Sequence, residues 1–239
     1  MKKSYHYIAV GFACLCVCLG LCMDLNPSYV MGGRQKILIY ATPILILFAE
    51  MVYQMRLVRS IGEKRQLQRR AHIYMFIIYL IATATLLFLG NSFRRAFAER
   101  NIWEAEAFTR EHFRLYCNLK PFKSIHMYAE AYRHHSMPMR LIVANVLGNL
   151  VAFMPCAVFM PVIWERFRKF VWFVIAVTGM VVAVEAIQFI TMVGQADVDD
   201  VILNVTGASL LYLCRPIVRC LEEKYADYYI TEQPSETDE

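Results

Sequence analysis

The chain is poor in charged residues, and this shortage excludes an ordinary soluble domain. Only 19% of its 239 residues are charged, whereas 58% are hydrophobic and 13% are aromatic. A soluble globule of this size does not need so much apolar surface, so the surplus is expected to face lipid. Apolar runs of about 18 or more residues are long enough to cross a bilayer. The sequence contains six, at residues 5–23, 37–58, 72–90, 141–163, 170–192 and 198–214.

The sequence also lacks the spacings that are typical of metal and disulfide sites. Of its eight cysteines, four lie inside the first apolar run without polar partners. Buried cysteines commonly act as small apolar residues, so no zinc or disulfide framework is predicted. His126, His134 and His135 form no H-E-x-x-H or similar pattern. We therefore predict no metal site in this group and no cofactor.

The basic residues do not lie along one polar face, which argues against nucleic acid as a partner. The net charge is +5, but Lys and Arg occupy short stretches between apolar runs. Such stretches are a topology signal, since cytoplasmic loops retain the excess of Lys and Arg. The connections after runs two and four are therefore predicted to be cytoplasmic, as are both termini. No convincing cleavage site precedes Asp24, so the first helix is expected to remain uncleaved.

These runs predict an all-α fold, a polytopic transmembrane bundle of about six helices. Residues 1–71 would form a two-helix membrane extension with a cytoplasmic basic loop, residues 72–215 the main membrane domain, and residues 216–239 an acidic, disordered cytoplasmic tail. Aromatic and aliphatic residues from Phe93 to Tyr116 recur at loosely helical spacing and predict an amphipathic external helix. Tyr128 and Tyr132, four residues apart, predict a second short piece facing lipid headgroups.

Acidic residues in or beside the predicted spans are the main functional candidates, because a charge inside a bilayer costs several kcal/mol unless it is paired or hydrated. Glu185 lies in the outer third of run five, and Gln188 follows on the same helical face. Asp197 immediately precedes run six, and Asp199 and Asp200 lie in its first turn. Asp197 is a natural N-cap, and the helix dipole favours acidic residues in the first turn. Those effects explain one or two aspartates but not three beside Glu185.

Small and amide residues predict that runs four, five and six pack closely. In run four, small residues repeat every four positions and asparagines repeat on an adjacent face, at Ala144, Gly148, Ala152, Asn145 and Asn149. Run six continues with Asn204 and Gly207. Pro155 is predicted to kink run four.

A short basic loop lies immediately outside these runs. Asn118 opens it, and Pro121 biases Lys120 away from helical backbone. Lys120 and Lys123 could direct an anion onto the acidic cluster or pair with that cluster.

Taken together, these segments resemble the VanZ-like family of bacterial membrane proteins. The matching stretches are NLKPF at 118–122, GNLVAFMP at 148–155, EAIQ at 185–188, and DVDD at 197–200 running into NVTG at 204–207. The resemblance covers residues 72–215. It implies a bacterial cell-membrane location and a link to resistance against teicoplanin, which acts at the outer face of the membrane. Relatives often carry an arginine where this chain has Gln195, so a mechanism that needs an Arg–Asp pair there is not expected.

The leading hypothesis is that the protein binds a membrane lipid or a lipid-linked envelope precursor at its outer face and influences glycopeptide susceptibility. The predicted ligand-binding residues are Asn118, Lys120, Asn149, Glu185, Gln188, Asp197, Asp200 and Asn204. An alternative is a membrane-embedded enzyme in which carboxylates hold a divalent cation or act as general base, with Glu185, Asp197, Asp199 and Asp200 as catalytic candidates. A third is ion-coupled transport, although no inverted repeat is present. The sequence gives no oligomeric state.

Overall fold

The computed structural model describes residues 2–26, 31–58, 60–88, 110–191 and 194–231, and nearly all of them are helical. The helices are α1 (Lys2–Leu25), α2 (Gly33–Leu57), α3 (Ile61–Phe88), α4 (Arg110–Tyr116), α5 (Lys123–Arg133), α6 (Met139–Ala152), α7 (Pro155–Ile163), α8 (Phe170–Ile190) and α9 (Val198–Thr231). A 3-10 helix spans Glu165–Arg168, and β1 (Cys117–Asn118) and β2 (Ala196–Asp197) are two-residue strands. The predicted all-α bundle is confirmed. Most of the predicted external amphipathic helix, residues 93–109, lies outside the described residues.

Within the described residues, five segments are long and apolar enough to span a membrane, one fewer than the sequence predicts. They are His6–Leu25, Gly33–Leu57, Ile61–Phe88, Met139–Ile163 and Phe170–Ile190. The sixth predicted run forms the first half of α9, but two acidic residues in its first turn and Arg215 shorten its uncharged stretch. In the most apolar part of α8 only 17% of the residues are buried, which leaves the rest of that surface for lipid.

Three predicted boundaries differ from the structure. The basic connection after run two is largely helical, because α3 begins at Ile61 rather than at residue 72. The predicted disordered tail is also helical as far as Thr231. Run four is two helices rather than one kinked helix. The break falls at Phe153 and Met154, and Pro155 occupies the first turn of α7, where its missing N–H costs nothing.

A buried ion pair joins the two amino-terminal helices to α3. Lys36 of α2 lies 2.7 Å from the carboxylate of Asp24 in α1, and its ammonium donates to the backbone carbonyl of Thr85 in α3 at 2.9 Å. Tyr40 donates to the other oxygen of Asp24 at 3.3 Å. Asp24 is 1% exposed and Lys36 is 4% exposed. The three helices are therefore fixed to one another at this end of the bundle.

Helix α9 packs against both α6 and α8, and Gly207 of α9 lies directly against the backbone of α6. A Cβ atom on Gly207 would lie 1.7 Å from the carbonyl oxygen of Leu150. The prediction that Ala144 and Gly148 form the contact surface of run four is wrong. Both are exposed, and among the described residues no packing neighbour lies within 4 Å of a Cβ built on Gly148. The face of α6 that packs against α9 is thus the one carrying Leu150.

The two short strands bring the 117–124 loop to the start of α9. They pair in parallel, with Cys117 opposite Ala196 and Asn118 opposite Asp197. Phe122, at the start of α5, has a φ of 64°, a left-handed conformation that is uncommon for a non-glycine residue. The loop therefore turns sharply above the acidic segment.

Candidate functional site

Helices α6, α8 and α9 enclose a small polar cavity near the end of α8. Its volume is about 50 Å³. The polar residues that line it are Asn149, Glu185, Gln188, Asp200 and Asn204, and the apolar ones are Leu87, Ala152, Phe153, Val181 and Val184. Five of the eight predicted ligand-binding residues therefore meet in one place. None of the described residues that line the cavity is basic.

Asp200 holds the amide side chains of the cavity in position. Its carboxylate accepts a hydrogen bond from Asn149, and its backbone carbonyl accepts one from Asn204 at 2.7 Å. Asn204 is 3% exposed, and its side-chain oxygen has no hydrogen-bond partner within the described parts of the chain. A buried acceptor without a partner carries a free-energy cost, so this oxygen favours a donor from water or a ligand in the cavity.

Glu185 ties α8 to the start of α9. The side chain is 8% exposed, and one carboxylate oxygen accepts the backbone N–H of Asp197 at 3.1 Å. Two carboxylates, those of Glu185 and Asp200, thus line a cavity that receives no lysine, arginine or histidine from the described residues. The cavity consequently presents hydrogen-bond acceptors, and no described residue of its lining is basic.

Asp199 does not line this cavity; it caps α5. It is fully buried, and its two oxygens accept the backbone N–H groups of Phe122, Ser124 and Ile125, the last two at 2.7 and 3.2 Å. The first N–H groups of any helix lack partners inside the helix, and a carboxylate there also complements the helix dipole. Asp199 therefore has a structural role in holding the sharp turn at Phe122.

Asp197 fastens the same loop from the other side. It accepts hydrogen bonds from the side chains of Asn118, at 2.8 Å, and of Ser124. It also caps α9, as predicted, by accepting the backbone N–H of Asp199 at 2.9 Å. Lys120 has an exposed side chain and does not line the cavity. Of the predicted site residues, Asn118, Asp197 and Asp199 thus build the loop above the cavity.

Replacing Asp199 with asparagine is expected to loosen the 117–124 loop while leaving the bundle folded. The amide group carries no charge and offers one acceptor oxygen instead of two, so the N–H groups at the start of α5 lose about 1–3 kcal/mol of stabilisation. Hydrogen exchange should show faster exchange at the amides of Phe122, Ser124 and Ile125. Glu130→Gln, an exposed change on α5, is the control. Unchanged protection of those amides in the Asp199 variant would contradict the capping role.

Two residues near the site are not predicted by the sequence analysis. Ser124 bridges Asp197 and Asp199, which no sequence signal indicates because its partners lie more than seventy positions away. Tyr128 is half-buried. Burial raises the pKa of its phenol, and the negative charges of Asp200 and Asp197 raise that pKa further. The phenol is therefore neutral and can donate a hydrogen bond beside the carboxylates.

A metal centre finds no support in the arrangement of these carboxylates. Among the residues that the structure describes, no three His, Cys, Asp or Glu side chains are grouped to hold a metal ion. The oxygens of Asp197 and Asp199 accept hydrogen bonds from the loop and from α5. Glu185 and Asp200 are the two catalytic candidates that line the cavity.

Comparison with known proteins identifies the family. A family model described as VanZ/LLP1 matches residues 76–219, which is more than half of the chain. A search of curated proteins and a search of solved structures each returned no match. The matched range includes every residue of the cavity and of the loop above it, whereas α1 and α2 lie outside it. The chain therefore belongs to the VanZ/LLP1 family and is a VanZ-like membrane protein.

Proposed function

We propose that the protein binds the headgroup of a membrane lipid or lipid-linked envelope precursor through this cavity, at the outer face of the cell membrane. The observation that carries the proposal is the set of acceptors: two carboxylates and a buried amide oxygen, with no basic residue among the described residues of the lining. Such a set selects a ligand group that donates hydrogen bonds and carries positive charge or none.

The size of the cavity restricts which part of a headgroup can enter. A single water molecule needs about 10–15 Å³ of such space, so a cavity of about 50 Å³ admits a small polar group of a few heavy atoms. A primary ammonium or a hydroxyl group fits this limit. Ammonium is favoured, because its three N–H donors match the acceptors of Glu185, Asp200 and Asn204. The remainder of the headgroup would then lie outside the cavity.

Exposed apolar side chains beside the cavity support contact with lipid. Leu119 and Phe122 lie on the loop, and Met127 lies on α5; all three are exposed. Aromatic and aliphatic residues at this level are typical of the membrane interface, where they insert among headgroups and upper acyl chains. A lipid whose ammonium enters the cavity would find these side chains next to its glycerol or isoprenoid part.

The proposal is tested by comparing two lipids that differ in their N–H donors. Native mass spectrometry of the full chain should show preferential retention of phosphatidylethanolamine over phosphatidylcholine, whose quaternary ammonium has no N–H. The double variant E185Q/D200N keeps the size and one acceptor oxygen of each side chain but removes both charges. Its preference for phosphatidylethanolamine over phosphatidylcholine is expected to be about tenfold smaller, since charge-assisted hydrogen bonds contribute more than neutral ones.

Glu130→Gln removes one exposed carboxylate from the same end of the protein and is the matched control. In cells, susceptibility to a teicoplanin-type antibiotic is compared at equal membrane abundance, and E185Q/D200N is expected to behave like the strain without the protein. Equal retention of the two lipids by the wild type, or an unchanged preference in E185Q/D200N, would reject the cavity as a headgroup site.

A further inference from the structure

A second, larger cavity lies at the opposite end of the bundle, and arginines dominate its polar lining. Its volume is about 940 Å³. The arginines come from three separate segments of the chain: Arg65 and Arg69 of α3, Arg166 and Arg168 of the 3-10 helix, and Arg215 of α9. This cavity lies near the start of α8 and the acidic cavity lies near its end. The two cavities are therefore about 25–30 Å apart at 1.5 Å per residue.

A role in membrane topology does not require these arginines to converge on one cavity. Positive residues orient a membrane protein by their number in a loop, and they need not surround a common space. Here, Arg69 donates through Nε to the carbonyl of Ile163 at 3.1 Å, and Arg168 through Nε to that of Pro161 at 3.3 Å. Bonds through Nε do not use the two terminal nitrogens of a guanidinium group. The wall of the cavity thus fixes two guanidinium groups by their inner nitrogen.

Two further contacts hold these guanidinium groups at the cavity. The guanidinium carbon of Arg166 lies 3.8 Å from the ring centre of Trp172, a cation–π contact that preserves its charge. Glu165 is the one acidic residue among the described residues of the lining; it is exposed, and its carboxylate lies 3.3 Å from a terminal nitrogen of Arg168. The described residues of the lining include five arginines and one carboxylate, a formal charge of +4.

We propose that this cavity binds the phosphate of an anionic phospholipid headgroup. Guanidinium groups pair with phosphate oxygens through two parallel hydrogen bonds, and basic pockets between transmembrane helices are typical sites for anionic lipids. A volume of about 940 Å³ greatly exceeds that of a phosphate ion, which leaves room for the glycerol parts of a lipid. Val158, Val162 and Leu211 supply apolar wall beside the arginines, where the upper acyl chains would lie.

The test compares phosphatidylglycerol with phosphatidylcholine, both retained on the purified full chain and counted by native mass spectrometry. The wild type is expected to retain phosphatidylglycerol preferentially. R65Q/R69Q removes two cations from the cavity, and its preference for phosphatidylglycerol over phosphatidylcholine should be about tenfold smaller. R56Q/K64Q removes two cations from the same region that do not line the cavity, and it should keep the preference. The single variant R168Q removes a cation from the 3-10 helix and tests the same lipid preference independently of α3.

Each other outcome overturns the proposal. Preference retained in both R65Q/R69Q and R168Q would show that the cavity does not hold the lipid. An equal loss in R56Q/K64Q would assign the effect to general surface charge. Complete displacement of phosphatidylglycerol by inorganic phosphate would assign the cavity to soluble phosphate compounds instead of lipid. Thermal unfolding in phosphatidylcholine alone checks that the variants are folded. E185Q/D200N should not change this preference, so failure here is distinguishable from failure at the acidic cavity.

Discussion

Replacing Gly207 with alanine is expected to remove most of the correctly folded protein. The new Cβ would lie 1.7 Å from the carbonyl oxygen of Leu150, far inside van der Waals contact, and neither backbone can give way without separating α6 from α9. Alanine in place of glycine gains about 1 kcal/mol of helix propensity. Overpacking costs about 1–3 kcal/mol when side chains can shift, and here the obstacle is backbone, so the cost should exceed that range. The net effect is a loss of several-fold or more in folded protein.

The control for this variant is Gly148→Ala, on the helix that Gly207 contacts. Among the described residues no packing neighbour lies within 4 Å of a Cβ at Gly148, so this change should leave stability unchanged or slightly improved. Folded yield after size-exclusion chromatography and the thermal midpoint in detergent measure both variants. Because Asn149 precedes Leu150, a partly folded Gly207 variant should also lose the hydrogen bond from Asn149 to Asp200. Equal midpoints for the two variants would contradict the close packing of α6 and α9.

Replacing Lys36 with methionine should destabilise the bundle by about 3–5 kcal/mol, because it leaves the buried Asp24 carboxylate without its cation. The double variant D24N/K36M removes the charge as well as its partner. It keeps an acceptor for Tyr40 and should recover part of the loss, with a coupling of about 0.5–3 kcal/mol between the two sites. The double variant is therefore expected to be more stable than K36M alone.

Thermal unfolding in one detergent measures this series, with Lys169→Met, an exposed change, as the control. A second readout is the association of α1 and α2 with the remainder of the chain. Lys36 reaches both Asp24 and the backbone of Thr85, so K36M should also make the amino-terminal helices more accessible to protease. If the losses of stability in K36M and in the single variant D24N add up to the loss in D24N/K36M, the two side chains do not act as a pair.

Long apolar runs made the membrane-spanning helices predictable, because lipid requires a continuous apolar surface that leaves a clear mark in the sequence. The run at residues 170–192 corresponds closely to α8 (Phe170–Ile190). Helix contacts were less predictable. The spacing of Ala144 and Gly148 indicates which face of α6 is small, but it does not indicate which neighbour lies there, and that face is exposed. In the sequence, Gly207 is one of several small residues. The position of Leu150 in the structure shows that Gly207 lies at the contact between α6 and α9.

The candidate site was likewise predictable only in part from the sequence. Polar side chains in neighbouring spans have few other places to go than a shared cavity, and one is lined by Glu185, Gln188, Asp200, Asn204 and Asn149. Their role in binding a ligand stays a prediction. The assignment of separate roles to the three aspartates could not be made in advance. Adjacent residues on a helix point in different directions, and the loop that receives Asp197 and Asp199 is distant in sequence. The large basic cavity was also missed, since its arginines come from segments that the topology rule treats as separate loops.

The cap that Asp199 provides for α5 has a consequence for biosynthesis. The amide of Ser124 and the carboxylate that receives it are 75 positions apart, with α6, α7 and α8 between them. At about 5–20 residues per second, the ribosome needs several seconds or more to deliver that carboxylate after the turn has emerged. Nascent chains that end before α9 would therefore carry an unfastened turn. The acidic cavity can likewise be completed only after α9 has been inserted, because Asp200 and Asn204 of α9 form part of its lining.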